Sequence, residues 1–145
     1  MGLQSGPVSR TRSSQRQYVL HKKTAVCEFC NFTSKSPQFI KDEGKFRLIK
    51  NIFQYDIWDG CRVQEHLMLV PKRHIQSLSE LTTQESAQYG KLVGRYESQG
   101  YSLYSRAPDN ITKSILHQHT HLIKLEPSRR KFLFYLYKPH LLLFK

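Results

Sequence analysis

Three histidines at alternate positions, His117, His119 and His121, form the densest cluster of chemically active side chains in the sequence. Side chains two residues apart share one face of an extended strand, whereas a helix would spread them around its axis. Three imidazoles on one face make a poor core, because each carries polar nitrogens that need partners. Imidazole titrates near neutral pH, so the pattern indicates a site for chemistry on an anionic group. A histidine-rich strand without a role, or an adventitious metal patch, is the alternative.

Two cysteines, Cys27 and Cys30, are separated by two residues. This spacing is typical of metal sites and of thiol redox motifs. The surrounding sequence lacks the βαβ pattern of thioredoxin-like proteins, so it favours a metal. With Cys61 the number of cysteines is odd, and the three do not describe a disulfide framework.

A third motif lies between the cysteines and the histidines, where residues 65–74 read EHLMLVPKRH. Together the three motifs resemble those of the histidine triad (HIT) superfamily. That family has a Gly-His-x-Leu-Val-Ile-Pro-Lys-x-His strand and a His-x-His-x-His motif followed by two apolar residues, here Leu122 and Ile123. Many zinc-bearing bacterial members open with Cys-x-x-Cys. Order and separations agree from Cys27 to Ile123, roughly two thirds of the chain.

The resemblance implies an enzyme, a nucleotide hydrolase or nucleotidyl transferase that acts at an α-phosphate through a nucleotidyl-histidine intermediate. It places His119 at the nucleophile position, and a neutral imidazole nitrogen can attack phosphorus. His121 is expected to contact a phosphate oxygen or the leaving group. His66 matches a histidine that helps to order the triad, with a plain buried histidine as the alternative. Ser114 matches a serine that hydrogen-bonds the phosphate, with an ordinary loop hydroxyl as the alternative.

The same resemblance implies substrates such as dinucleoside polyphosphates, nucleoside phosphoramidates or other nucleotide conjugates. Asp59 is a candidate contact to a ribose hydroxyl, although the Asp-Gly sequence favours a turn-forming role. Lys113 and Arg106 are candidate phosphate contacts. On a chain with a formal charge of +12, a solvated surface position is the alternative for both.

The resemblance further implies a structural zinc site with four ligands, Cys27, Cys30, His74 and His117. In zinc-bearing relatives the metal is held by the cysteine pair, the histidine after Pro-Lys-x and the first histidine of the triad. Soft thiolates with imidazoles favour zinc in tetrahedral geometry, and a site without an open position is structural. We therefore expect zinc to hold the base of the strand that carries His119.

The chain departs from the family pattern in two places. Gln118 and Thr120, between the triad histidines, are polar where the family is usually apolar. They face the opposite side of the predicted strand, so that side is expected to be wetter or to pair with polar groups. Residues 110–113 read NITK in place of a glycine-rich stretch, which leaves the shape of the phosphate loop and the substrate open. Residues 129–145 lie outside the resemblance.

Composition bounds the class of protein. The 145 residues, 39% of them hydrophobic, suit one globular domain with a modest core. The charge of +12 favours polyanionic partners such as nucleotides, nucleic acid or an anionic membrane surface, or else forms a solvated basic surface. Residues 1–17 lack the apolar region of a secretory signal, and no apolar run suffices to span a bilayer. We expect a cytoplasmic protein.

Local patterns predict the organisation of the chain. Residues 1–17, which include Arg10, are polar and basic, so we expect a flexible tail there, followed by a HIT-like domain over 18–145. A capping box at Thr82 predicts a helix to about Ser98. Strands are predicted within 46–58 and at His66–Val70, Tyr101–Arg106, Ser114–Lys124 and Phe132–Tyr137. One long helix with mostly antiparallel strands and a basic N-terminal tail indicates an α+β, HIT-like fold.

Two hypotheses about function follow. The first is the enzyme that uses His119. The second is a module that binds nucleotides or nucleic-acid ends without turnover. The intact His119 and His121 favour the enzyme, whereas the positive charge favours nucleic-acid contact. Relatives commonly form homodimers by joining their sheets, so a homodimer is expected.

Overall fold

A computed structural model describes residue 10 and residues 12–20 and 26–129. Within these ranges the helices are α1 (Arg12–Leu20) and α2 (Thr83–Ser98). The strands are β1 (Phe39–Glu43), β2 (Phe46–Lys50), β3 (Ile57–Trp58), β4 (Cys61–Pro71), β5 (Tyr101–Ser105) and β6 (Thr120–Arg129). Short 3₁₀ helices span Glu28–Asn31 and Leu78–Glu80. Neither α1 nor α2 has the length and apolar character needed to cross a membrane.

The strands form one antiparallel sheet of order β1-β2-β4-β6-β5, and β3 pairs with the start of β4. At its centre, Leu67 of β4 lies opposite Leu122 of β6, and Met68 lies opposite His121. Directly opposed residues share a face of the sheet, and successive residues alternate between faces. The sheet therefore separates the side chains of β4 and β6 into two sets. An antiparallel sheet with helices confirms the predicted α+β fold class.

One face of the sheet is covered by α2. Leu92 and Tyr96 of this helix belong to a buried core with side chains from four strands. Those strand residues are Phe46, Leu48, Leu67, Leu69, Tyr101 and Leu122. A smaller cluster on the opposite face contains Phe29, Ile49, Met68 and Val70. His66 and His121 lie on this second face, away from α2.

The predicted capping box of α2 is confirmed. The Thr82 hydroxyl accepts a hydrogen bond from the Glu85 amide at 3.3 Å, and the Glu85 carboxylate accepts one from the Thr82 amide at 2.8 Å. The helix ends at Ser98, followed by Gly100 with φ of 88°. This conformation favours glycine, so the end of the helix is also set locally.

The hairpin of β1 and β2 is bound to α2 through Gln88. Its amide nitrogen donates to the Glu43 carbonyl at 2.9 Å, and its amide oxygen accepts from the Lys45 backbone at 2.9 Å. A Cβ at Gly44 would lie 2.0 Å from the Gln88 amide nitrogen, and the φ of 67° also favours glycine. The turn is therefore shaped to meet the helix.

The strand prediction for the triad was wrong in its bounds. β6 begins at Thr120, so His117 and His119 lie in the segment before it. The Gln118 backbone N–H donates to the Ile75 carbonyl at 2.7 Å, which ties that segment to the chain after β4 and not to a neighbouring strand. β6 also continues through Pro127 to Arg129. Register shifts between β4 and β6 at this end accommodate a proline, which lacks a backbone donor.

Other strand predictions also changed. β1 was not predicted, because it is an edge strand with mostly exposed residues and no apolar alternation. Two short strands were expected within 46–58, and the second of them is only Ile57–Trp58 in the structure. β4 is longer than predicted. β5 confirms the strand that was predicted to begin at Tyr101. The strand predicted at Phe132–Tyr137 lies outside the described residues.

Part of the predicted N-terminal tail is helical in the structure. Its residues 12–17 belong to α1. Before α1, Arg10 donates to the Phe53 carbonyl through Nε at 3.2 Å and Nη2 at 3.0 Å. Tyr18 packs edge-on against the Phe53 ring, with centroids 5.6 Å apart. Contacts 43 residues away in sequence bring this segment onto the domain, which local composition does not reveal.

Candidate functional site

A cavity of about 420 Å³ lies on the sheet face opposite α2. His119 and His121 both line it, together with Ser114 and Arg106. Much of the remaining wall comes from the segment around Arg10 and from residues 50–55, which follow β2. Among the described residues, aromatic side chains at this wall include Tyr18, Phe29, Phe32, Phe53 and Tyr55. Apolar walls with a few convergent polar groups are typical of small-molecule sites.

His119 is buried, with 7% of its surface exposed. Its Nδ1 lies 2.9 Å from the backbone carbonyl of His117. A carbonyl only accepts, so Nδ1 carries the proton and Nε2 carries the lone pair. Burial lowers the pKa of His119 to about 4, against a smaller opposing effect of this hydrogen bond. The imidazole is therefore neutral at neutral pH, with a nucleophilic nitrogen available.

His121 has the opposite tautomer. The Tyr55 amide donates to Nδ1 of His66 at 3.2 Å, so the proton of the neutral His66 ring is on Nε2. That Nε2 lies 2.9 Å from Nδ1 of His121, which must accept. The proton of His121 is thus on its Nε2, a buried atom with no hydrogen-bond partner among the described residues. His121 offers an N–H donor at the cavity.

Burial keeps His66 and His121 neutral. It is the main cause that lowers the pKa of His66 to about 3, followed by the charge of Arg10. Burial also lowers the pKa of His121 well below its ordinary value, with contributions from His119 and His66. Desolvation disfavours the charged imidazolium form of both rings. The hydrogen-bond relay is therefore neutral.

The predicted metal ligands come together beside this cavity. The ligand atoms of Cys27, Cys30, His74 and His117 all lie within 4.8 Å of one another. Cys30 Sγ is 3.2 Å from His74 Nδ1, and both sulfurs are 3.5 Å from His117 Nδ1. The short 3₁₀ helix after Cys27 presents the cysteines, and the turn after β4 presents His74. These four residues are close enough to hold a metal ion.

His117 connects the metal cluster to the cavity. Its Nε2 lies 3.0 Å from the Pro71 carbonyl, so Nε2 carries the proton and Nδ1 faces the sulfurs with its lone pair. Burial lowers the pKa of His117 to about 4, which keeps that nitrogen free of a second proton. The backbone carbonyl of the same residue orients His119. His117 therefore belongs to the metal cluster through its imidazole and orients His119 through its carbonyl.

Gln118 and Thr120, the polar residues between the triad histidines, are buried and pair with polar groups. The Thr120 hydroxyl and the Tyr89 hydroxyl of α2 lie 2.8 Å apart. The Gln118 side-chain oxygen accepts from Lys113 Nζ at 2.9 Å, and its nitrogen donates to the Ser105 hydroxyl.

Two predicted substrate contacts have other places in the structure. The Lys113 ammonium donates to the Gln76 carbonyl at 2.8 Å as well as to Gln118, and Lys113 does not line the cavity. These bonds hold the segment before the triad, and a phosphate contact by Lys113 stays a prediction. Asp59 has φ of 48° and precedes Gly60 with φ of 74°, and it too is absent from the cavity wall. This position favours the turn-forming alternative.

Several cavity residues were not found from the sequence. Asn51 lies at the cavity, where its side-chain oxygen accepts from the Phe53 backbone amide at 2.9 Å and its side chain packs against the His66 ring. Tyr55 contributes its ring and the amide that sets the His66 tautomer. Arg10 and Tyr18 come from a segment treated as a tail. Asn51 and Tyr55 stand near a turn before a motif strand, a signal that could have singled them out, whereas no local pattern marks Arg10.

No known family model matches the chain. Many solved structures of histidine triad proteins nevertheless share the architecture of this chain. The chain has the HIT-like fold.

Three of these structures illustrate the similarity. A member of the HIT family from Bacillus subtilis is 21% identical, with a TM-score of 0.54 over 79% of this chain and 82% of that chain. A HIT family hydrolase from Clostridium thermocellum is 20% identical, with a TM-score of 0.53 over 77% of this chain and all of that one. A histidine triad nucleotide-binding protein from Candida albicans is 16% identical, with a TM-score of 0.51 over 79% and 86%.

Proposed function

We propose that this chain is a nucleotide hydrolase or nucleotidyl transferase that acts at an α-phosphate through a nucleotidyl-histidine intermediate. The observation that supports this proposal most is the pair of complementary tautomers at one cavity. His119 presents a lone pair, and His121, whose ring centroid is 4.9 Å away, presents an N–H. Nucleophilic attack on a phosphate needs both an electron pair and donors for developing negative charge.

In the proposed reaction, Nε2 of His119 attacks the α-phosphorus, and a nitrogen–phosphorus bond forms as the bond to the leaving group breaks. The electron pair of the broken bond stays on the leaving atom. The Nε2–H of His121 donates to an oxygen of the α-phosphate or to that leaving atom. Water, or another acceptor in a transferase, then attacks phosphorus and releases His119. Ser114, which also lines the cavity, is positioned to donate to a phosphate oxygen.

We propose that the metal cluster holds a structural zinc ion. Zinc bonds of about 2.1 to 2.3 Å at tetrahedral angles separate the ligand atoms by about 3.5 Å, which matches the sulfur–nitrogen distances found here. Two thiols and two imidazoles are a donor set that favours zinc. Four protein ligands leave no open position, so the ion would supply stability and no reactive ligand. A reducing cytoplasm, the expected location, would keep both thiols able to bind.

The test is the nucleophile substitution His119→Ala. We expect turnover of adenylated and guanylated substrates to fall by several orders of magnitude while nucleotide affinity changes little, because the lost nitrogen bonds only in the reaction. A rapid acid-free quench of the native protein should trap a nucleotide on a histidine nitrogen, identified by peptide mass spectrometry. Ser105→Ala is the matched control, because Ser105 contacts the same segment through the His119 carbonyl.

The alternative function is a binding module for nucleotides or nucleic-acid ends. It is favoured by the positive charge, and it predicts tight nucleotide binding with no trapped intermediate. Turnover at the native rate in a folded His119→Ala protein would favour this alternative. So would the absence of turnover with every adenylated and guanylated substrate tested.

The expected homodimer would join its sheets through β5, an edge strand with Leu103 exposed. Analytical ultracentrifugation would show whether the protein is a monomer or a dimer.

A further inference from the structure

The cavity wall beside the histidines is cationic. Arg10 and Arg106 both line it, and both contact Tyr55. The guanidinium carbon of Arg10 lies 4.8 Å from the centroid of the Tyr55 ring, while Nη2 of Arg106 donates to its hydroxyl at 2.9 Å. Among the described residues, neither guanidinium forms an ion pair with a carboxylate. Two positive charges thus meet around one ring, and the Asp56 carboxylate acts on Arg10 only through space.

Two buried donors at this cavity lack partners. Within the described part of the chain, the buried side-chain nitrogens without a hydrogen bond are Nε of Arg106 and Nε2 of His121. Nε of an arginine always carries a proton, and the His66 relay places one on Nε2 of His121. Buried donors are rarely left unpaired in native proteins. Both donors belong to residues that line one cavity, which indicates a ligand with acceptor oxygens there.

Arg10 is held in a defined orientation. Its Nε and Nη2 both donate to the Phe53 carbonyl, and its guanidinium also lies 4.3 Å from the centroid of the Tyr18 ring. The guanidinium therefore contacts two tyrosine rings, and cation–π attraction to both holds the charge. A guanidinium fixed before the ligand arrives loses less conformational freedom on binding.

We propose that Arg10 and Arg106 form an anion subsite beside the histidines, and that this subsite selects ligands whose group beyond the α-phosphate is negatively charged. The inference rests on the proposed function, which places the α-phosphate at His119. Guanidinium groups bind phosphate oxygens through charge-assisted hydrogen bonds. When the bond between the α-phosphorus and the bridging oxygen breaks, the electron pair remains on the leaving phosphate. The two guanidiniums would stabilise that charge, whereas a neutral amine leaving group would gain nothing from them.

The experiment compares two ligands that differ by one phosphate. Isothermal titration with a nucleoside monophosphate and with the α,β-methylene diphosphate of the same nucleoside, which is not cleaved, gives the native preference for the added charge. Adenine and guanine forms are both used. We expect Arg10→Gln and Arg106→Gln each to reduce this preference by about tenfold or more, because each removes charged hydrogen bonds. Affinity for the monophosphate should change by less than about threefold.

Arg62→Gln is the matched control, because Arg62 is largely exposed, pairs with Glu126 at 3.8 Å and does not line the cavity. An equal loss of preference in this variant would show a general charge effect and overturn the subsite. Equal weakening of both ligands by Arg10→Gln would also overturn it, since a merely structural contact affects both. Arg106→Gln keeps the test decisive where Arg10→Gln does not fold. Absence of turnover in the native protein would refute the proposed function but leave this binding comparison valid.

Discussion

At the scale of single residues, two backbone atoms decide what the cavity histidines can do. The His117 carbonyl holds the proton of His119 on Nδ1, and the Tyr55 amide, acting through His66, places the proton of His121 on Nε2. The rings thus present different chemistry although their sequence context is similar. Main-chain atoms are present at every residue, so these assignments depend on the fold and not on residue type.

The His66→Phe substitution tests this relay. It keeps a ring in the buried space but removes the acceptor for the Tyr55 amide and the donor to His121. We expect kcat to fall by about 10²-fold, with a smaller change in KM, because the His121 donor would no longer be held in one tautomer. Nitrogen-15 NMR of the His121 ring should show a mixture of tautomers.

Leu69→Met controls for packing in the same strand, since it conserves volume on the opposite face. An unchanged His121 tautomer together with unchanged kcat in folded His66→Phe protein would reduce His66 to a plain buried histidine, the alternative stated for it from the sequence.

The motif residues of the site were predictable, but their surroundings were not. Cys27, Cys30, His74 and His117 have types and spacings that suit a metal, and the structure brings them together. Arg10 carries no such signal, because its role depends on contact with Phe53, far away in the sequence. Residue type and spacing report chemistry within one motif, whereas a cavity wall also depends on which distant segments pack against it.

At the scale of elements, the short 3₁₀ helix after Cys27 is joined to the sheet through Phe29. Arg47 of β2 donates to the Phe29 carbonyl at 3.3 Å, and the Phe29 side chain is buried against Ile49, Met68 and Val70. We infer that a metal ion would provide much of the remaining stability of this segment.

The double substitution Cys27→Ser, Cys30→Ser measures that contribution. We expect about one zinc ion per native chain by elemental analysis, and a loss of that zinc with a lower Tm in the variant. Cys61→Ser is the control, because Cys61 is not in the cluster. Metal-replete native protein without zinc would contradict the prediction, as would a double variant with native Tm.

The contact between the β1–β2 hairpin and α2 makes stability depend on pH. The carboxylate of Glu43 is bonded to Arg95, lies 2.8 Å from Lys41 Nζ and accepts from the Tyr96 hydroxyl at 2.8 Å. Arg95 above all lowers the pKa of Glu43 from 4.5 to about 2. The folded state therefore binds this proton less readily than the unfolded chain. The stabilisation is complete above about pH 4.5 and is lost as the pH falls towards 2.

We therefore expect Glu43→Gln to lower Tm at pH 7, and the difference from the native protein to shrink towards pH 2. Thermal melts across this pH range provide the measurement. Glu97→Gln is the control, because Glu97 lies exposed on α2 and has no ion pair among the described residues. A difference in Tm that stays constant down to pH 2 would contradict the assignment to Glu43.

Element predictions succeeded where local chemistry decides the outcome. The capping box at Thr82 and the glycine at position 100 set α2 correctly at both ends. β6 was misplaced at both ends because its start depends on a bond from Gln118 to Ile75, and its end depends on pairing with the start of β4. Such partners are distant in the sequence, so a local sequence pattern does not predict them.

At the scale of the whole molecule, the positive charge has more than one role. Arg10, Arg12 and Arg16 were grouped as a tail by composition, yet Arg10 lines the cavity and the other two belong to α1. Basic residues adjacent in sequence can therefore serve a cavity and the general electrostatic field separately.

The double substitution Arg12→Gln, Arg16→Gln separates these roles. We expect weaker binding of single-stranded DNA and a salt dependence reduced by about 1.4 in logarithmic slope, since two charges are removed. Nucleotide turnover should stay within about twofold, because Arg10 is retained. Filter binding across a range of salt concentrations and steady-state kinetics provide the two measurements. A parallel loss of turnover would mean that α1 contributes to the reaction through more than its neighbour Arg10.

The double membership of His117 has a consequence for mutational screens. With the proposed metal ion bound, a screen that scores only folded protein would detect the loss of its imidazole, as it would the loss of the Cys30 thiol. A screen that scores only activity would detect the loss of the His119 side chain. It would detect a substitution of His117 only where the substitution moves the main-chain carbonyl. The carbonyl that orients His119 survives every substitution at position 117, so no replacement there removes it outright. Selection for the orientation of His119 therefore acts on a main-chain atom, whereas selection for the metal cluster acts on the imidazole, so only the second would preserve a histidine at position 117.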